Sequence, residues 1–166
     1  MTSDDAERRL DQLRSALVKV QSDLSTSLPE WSGMQILVVP EDWGGQYDEV
    51  AIVADSYGAY VAGTPLYGPT PIAALFSVAD SVQELLADIY WVVWPICQQH
   101  HCGVHVRPSG HGAEWDPHVL NAWPEAAPAW WCRGDGGHDL ALVGELAGKR
   151  RTRRPDRRPR APRKYR

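Results

Sequence analysis

At 166 residues the chain has room for one domain, or one domain plus a small module, and its 43% hydrophobic and 23% charged fractions are those of an ordinary soluble globular protein. Its most apolar run, Ile89 to Ile96, is far shorter than the roughly 18 residues that a membrane span requires, so no bilayer-crossing segment is expected. The net charge of −4 hides an asymmetry: residues 149–166 hold eleven Lys and Arg against Asp156 alone, a local +10, and −4 less +10 leaves −14 for residues 1–148.

The N-terminus opens with Asp4, Asp5 and Glu7 and lacks the basic flank and apolar stretch of a secretory signal, which points to a cytoplasmic protein. Ser3 is placed to cap a first helix. Leu10, Leu13, Leu17, Val20 and Leu24 then recur at three- and four-residue steps, so an amphipathic helix is expected to run from there and to end before Pro29. Next come short strand patterns at 36–39, at 50–53 and at 57–61, the last two flanking an Asp55-Ser56 turn, which together suggest a three-stranded antiparallel sheet. Thr70 followed by Pro71 marks a helix start, and the stripe Ile72, Leu75, Phe76, Ala79, Val82, Leu85, Leu86, Ile89 carries a second helix to about Tyr90. The expected fold class is α+β, with two helices packed on a small antiparallel sheet over residues 1–92.

From Pro95 onward these periodicities fade, and His, Trp, Gly and Pro punctuate a stretch with few aliphatic residues before Leu140 to Val143. A segment so poor in core formers usually needs a staple, and inside a cell that staple is usually a metal. Residues 93–147 are therefore read as a separate zinc-stabilised module. The Arg- and Pro-rich segment 148–166 has no apolar periodicity and is expected to be a disordered tail.

Two short pairs supply the donors for that metal. Cys97-x2-His100 and Cys132-x5-His138 together offer two thiolates and two imidazoles, a set suited to tetrahedral zinc, and Gly134, Gly136 and Gly137 give the second pair the backbone freedom of a tight turn. Because His101, Cys102 and His105 sit beside the first pair, with His111 and His118 further on, the ligand register stays open. Three cysteines without a signal peptide suit reduced thiols better than disulfides. Four protein ligands would leave no position for water, which makes such a zinc structural.

The stretch Trp94 to His100, with Ala129-Trp130-Trp131-Cys132 and Gly137 to Leu146, resembles the zinc-ribbon-like ends of small uncharacterised proteins from high-GC bacteria. Their pattern is Cys-Pro-x-His, then Trp-x-Cys-Pro, then Gly-His and a short strand; here Gln98 and Arg133 stand where the prolines would fall. The resemblance covers about a third of the chain, implies metal binding, and brings no activity with it.

Motifs for several enzymes are missing. There is no His-x-Glu with Pro-Cys-x-x-Cys for a zinc deaminase, no Walker A loop, no Rossmann glycine fingerprint, no His-Glu-x-x-His and no Gly-x-Ser-x-Gly. A Cys–His nucleophilic pair competes with metal ligation for the same residues, and a nuclease trio of His101, Asn121 and His138 has only loose spacing. Trp91, Trp94, Trp115, Trp123, Trp130 and Trp131 can stack on a ligand but serve more simply as packing. The preferred reading is a non-enzymatic interaction or accessory protein with an unidentified protein partner. The alternative is a nucleic-acid-binding protein that uses the exposed part of the zinc module and the basic tail, through Arg150, Arg151, Arg153, Arg154, Arg157 and Arg158, with the tail's folding back on the acidic body as a competing use. Metal-dependent hydrolysis ranks below both.

Overall fold

A computed structural model describes residues 3–42, 47–111 and 125–146. It is an α+β fold with two helices and two small antiparallel sheets. The Asn121, Trp115, Trp123 and His118 positions, and the whole basic segment with its six named arginines, lie outside the described residues.

Helix α1, Ser3–Ser27, begins with Asp4 and Asp5 in its first turn, where negative side chains favour the exposed amides, and ends short of Pro29. Its stripe buries Leu13, Leu17, Val20 and Leu24. Helix α2, Pro71–Tyr90, starts as its sequence dictates: Thr70 Oγ1 accepts the amide of Ala73 at 3.2 Å, and Pro71 occupies the first position. It ends where Trp91 turns left-handed at φ 58°. Ten of its residues are buried, including Val78, Val82, Leu85 and Leu86, and it packs along α1.

Strands β1, Gln35–Asp42, and β2, Tyr47–Ala54, form a two-stranded hairpin in register from Gln35 opposite Ala54 to Asp42 opposite Tyr47. The expected third strand at 57–61 does not form. Asp55 is the reason: its buried carboxylate accepts the amides of Tyr57 and Ala59, each at 2.8 Å, and the hydroxyl of Tyr90. Those amides are consumed by a side-chain turn and cannot enter a ladder. The chain rejoins β2 only at Leu66, whose amide donates to Ala51 O at 2.7 Å.

The second sheet has the order β3-β4-β5, with β3 at His105–Pro108, β4 at Pro128–Cys132 and β5 at His138–Leu142. Only β5 had a sequence signal. Strand β4 is buried at all five positions, so it has no alternation of polar and apolar residues to betray it.

One buried cluster runs through the whole fold, from Leu13, Val20 and Leu24 through Val78 and Leu86 to Trp94, Cys97, Val106, Trp130, Cys132 and Val143. The cluster includes residues on both sides of residue 92. Specific polar ties span that position as well. Gln83 on α2 donates to Trp94 O at 2.8 Å and Val104 O at 2.7 Å, and its carbonyl oxygen accepts the Val106 amide at 3.3 Å. Trp94 Nε1 donates to Ser27 Oγ at 2.8 Å, and the Trp94 and Trp130 rings meet edge to face at 4.9 Å. Asp23, fully buried on α1, accepts Trp130 Nε1 at 2.8 Å, the Gly144 amide at 2.6 Å and the Leu146 amide at 2.8 Å.

Candidate metal centre

The first pair of donors sits on a knuckle held by its own backbone. An isolated antiparallel bridge joins Ile96 to Gly103, and inside it Cys97 N donates to Cys102 O at 2.9 Å and His101 N to Cys97 O at 2.8 Å. His101 closes the turn in the left-handed region at φ 52°. Gln83 then fixes the knuckle to α2 through Trp94 O and Val104 O, one on each arm.

The second pair comes from the hairpin between β4 and β5, where Cys132 pairs with His138. The intervening turn bonds Gly137 N to Gly134 O at 3.0 Å. Two glycines there are required by space, and Gly137 by its dihedral as well. A Cβ on Gly134 would run into the His100 ring, and Gly137, at φ 73°, lies so close to Trp131 that a Cβ would meet its ring at 2.7 Å.

Between the two turns, four donor atoms converge. Cys97 Sγ lies 3.6 Å from His100 Nδ1 and 3.7 Å from His138 Nε2, and Cys132 Sγ lies 3.3 Å from His100 Nδ1. All four donors lie within 4.8 Å of one another, so Cys97, His100, Cys132 and His138 form a group that could hold a metal ion. The comparison with an ideal site is direct. Bonds of about 2.3 Å to sulfur and about 2.0–2.1 Å to nitrogen in a tetrahedron place donor atoms about 3.4–3.8 Å apart. These three separations fall at or within about 0.1 Å of that range, inside a group whose donors spread over at most 4.8 Å.

Both thiols are buried and both imidazoles half-buried, which keeps bulk water from most of the cluster. Burial pushes the Cys97 thiol up, but the backbone amides of His100 and Gln99, with hydrogen bonds from Cys132 and His100, outweigh it and bring the group down to about 6. Burial raises Cys132 as well, and there it prevails over the Gly134 amide, with contacts to Cys102 and Cys97 adding to the rise, so that the group is pushed up to about 11. The Gly134 amide donates to Cys132 Sγ at 3.3 Å, so each sulfur has amide support for a thiolate form.

His100 presents Nδ1 to the sulfurs, which leaves Nε2 on the far side of the ring. That atom is buried without a hydrogen-bond partner, and the nearest carboxylate oxygen, Asp135 Oδ2, is 3.9 Å away. A ligating imidazole usually gives its second N–H to such a group, and Asp135 is the side chain in position to take it.

Of the rival donors, His101 and His105 are exposed and outside the group, as is His111. Cys102 is half-buried, with Sγ 3.6 Å from Cys132 Sγ. The supposed nuclease trio is divided: His138 belongs to the donor cluster and His101 is exposed beside it. Trp94, Trp130 and Trp131 are buried as packing, and Trp91 is exposed. Asp23 is the residue that sequence reasoning missed. Its signal was present, since it lies three residues after Val20 and beside Leu24, a carboxylate on the apolar stripe of α1.

No helix among the described residues is long and apolar enough to cross a membrane. Comparison with known proteins adds no relative to this picture: no protein-family model, no curated protein and no solved structure matches the chain.

Proposed function

We propose that the chain binds one zinc ion through Cys97, His100, Cys132 and His138, and that it serves as a non-enzymatic interaction or accessory protein whose C-terminal layer this ion staples. The observation that carries the reading is the convergence of two thiols and two imidazoles, from segments 32 residues apart at Cys132 and His100, to within 4.8 Å of one another. An S2N2 set suits zinc better than magnesium or calcium, which take oxygen. Two thiolates also neutralise a dication, so the buried centre would carry no net charge. With all four positions filled by protein, no site is left for an activated water, and the ion's role is to hold the fold.

The accessory role is supported by what the surface beside the knuckle offers. Trp91, Val93 and Ile96 are 87%, 59% and 46% exposed, large apolar side chains on the stretch that leads from α2 into the site. The resemblance to zinc-ribbon-like bacterial modules points the same way, and cytoplasmic residence would keep the thiols reduced. The separate proposal for the basic segment, non-specific attraction to nucleic acid, rests on its local +10.

Elemental analysis of protein purified without chelator tests the zinc reading. One zinc per chain supports it, and no stoichiometric metal removes it. For the basic segment, deletion of 149–166 should abolish a salt-sensitive nucleic-acid interaction; binding undiminished by the deletion would rule the segment out.

A further inference from the structure

The four-donor group leaves one thiol unused, and its position is not incidental. The Ile96–Gly103 bridge and the bond from Cys97 N to Cys102 O set Cys97 and Cys102 opposite each other on the two arms of the knuckle. Residues directly opposite in an antiparallel pair project to the same face. His101, left-handed at φ 52° and exposed, is the turn residue that brings position 102 back to face position 97. From the other turn, Cys132 places Sγ 3.6 Å from Cys102 Sγ. Two sulfurs on a tetrahedral zinc ion lie about 3.8 Å apart, so that separation comes within about 0.2 Å of a shared-ion edge, and a larger ion would widen it.

We propose that the centre has a second coordination mode, in which Cys97, Cys102 and Cys132 together hold a soft, thiophilic divalent cation of the cadmium type. The inference rests on the metal-binding reading of the four-donor group and deepens it by naming a second class of ion. Charge and softness decide between the modes. Three thiolates on a dication leave a buried net charge of −1, which opposes the mode for borderline zinc, already satisfied by two sulfurs and two nitrogens. A softer ion gains more from exchanging an imidazole for a sulfur, and that gain offsets the charge. Cys102 is half-buried where Cys97 and Cys132 are buried, so it is the thiol of the three that solvent reaches most.

The test loads the full chain with zinc or with cadmium and alkylates it with iodoacetamide, followed by peptide mass spectrometry. The zinc form should label at Cys102 alone, and the cadmium form at none of the three thiols. In parallel, cadmium–sulfur charge-transfer absorbance should fall by about a third in Cys102→Ser, one of three sulfurs having been removed, while zinc stoichiometry stays unchanged. Cadmium that protects only Cys97 and Cys132, with equal absorbance in Cys102→Ser, overturns the three-sulfur mode and leaves the zinc centre standing. Failure of the native chain to bind either ion overturns both. The alkylation uses the native chain, so the result does not depend on how well Cys102→Ser folds.

Discussion

Helices α1 and α2 pack through Leu13, Leu17, Val20, Leu24, Val78, Val82, Leu85 and Leu86, many small contributions of the same kind. Around the two turns, the buried side chains include Trp94, Cys97, Trp130 and Cys132 with a few aliphatic residues such as Val104, Val106 and Val143, and a handful of directed bonds from Asp23, Gln83 and Ser27 tie this region to the helices. The first arrangement spreads its stability over many contacts, so that losing one leaves the rest in place. The second concentrates it. Where aliphatic residues are few, each polar tie and each metal donor carries a larger share, and a single substitution should reach further.

The largest expected effect is at the donors. Cys132→Ser should lose the metal, and structural zinc in small modules contributes about 10–16 kcal/mol of binding free energy that is also folding free energy. Hydrogen exchange should then show protection lost over 95–108 and 128–146 while α1 and α2 keep theirs. Equal loss in the helices would mean that the two regions unfold as one and that the contrast drawn here does not extend to cooperativity.

Asp23→Ala comes next. It removes the acceptor from Trp130 Nε1 and from the Gly144 and Leu146 amides, and stranding one buried and two half-buried donors should cost about 4 kcal/mol by chemical denaturation. Leu86→Ala, in the other region, should cost about 3 kcal/mol through its cavity and leave metal content unchanged. A reversal, with Leu86→Ala releasing the metal and Asp23→Ala not perturbing the β5 turn, would contradict the division.

How much of this could be read from the sequence follows the same line. Both helices were legible because their apolar stripes and the Thr70-Pro71 start are local signals, confirmed from Ser3 to Ser27 and from Pro71 to Tyr90. The donor pairs were legible as residue types at short spacing, and the structure brings together the same four side chains. The register among His100, His101 and Cys102 was not, because it depends on the left-handed turn at His101 and on the space that Gly134 leaves for the His100 ring. The false strand at 57–61 shows the opposite failure. Its apolar residues look extended until the Asp55 carboxylate takes the amides of Tyr57 and Ala59. Strand β4 was invisible because it is buried at all five positions and so has no alternation, and β3, though its burial alternates, is only four residues long.

The smallest effects concern pH, where two buried carboxylates should act in opposite directions. Burial raises Asp23, more than its three hydrogen bonds lower it. The folded chain thus binds the extra proton, and Asp23 subtracts stability as pH climbs from 3.8 toward the raised value. Burial also opposes ionisation of Asp55, but the Tyr90 hydroxyl and the amides of Ala59, Tyr57 and Gly58 outweigh it and lower the group. Its contribution is present above pH 3.8 and is lost as pH falls through the lowered value. Denaturation of Asp23→Asn and Asp55→Asn from pH 3 to pH 7 should show these slopes removed one at a time; the same change of slope in both would contradict the assignment.

The central claim is that two thiols and two imidazoles close around one ion, and X-ray absorption at the zinc edge measures that shell directly. For protein purified without chelator, the account predicts one zinc per chain with two sulfurs at about 2.3 Å and two nitrogens at about 2.0–2.1 Å. An absence of stoichiometric zinc, or a shell made of oxygen, would contradict it.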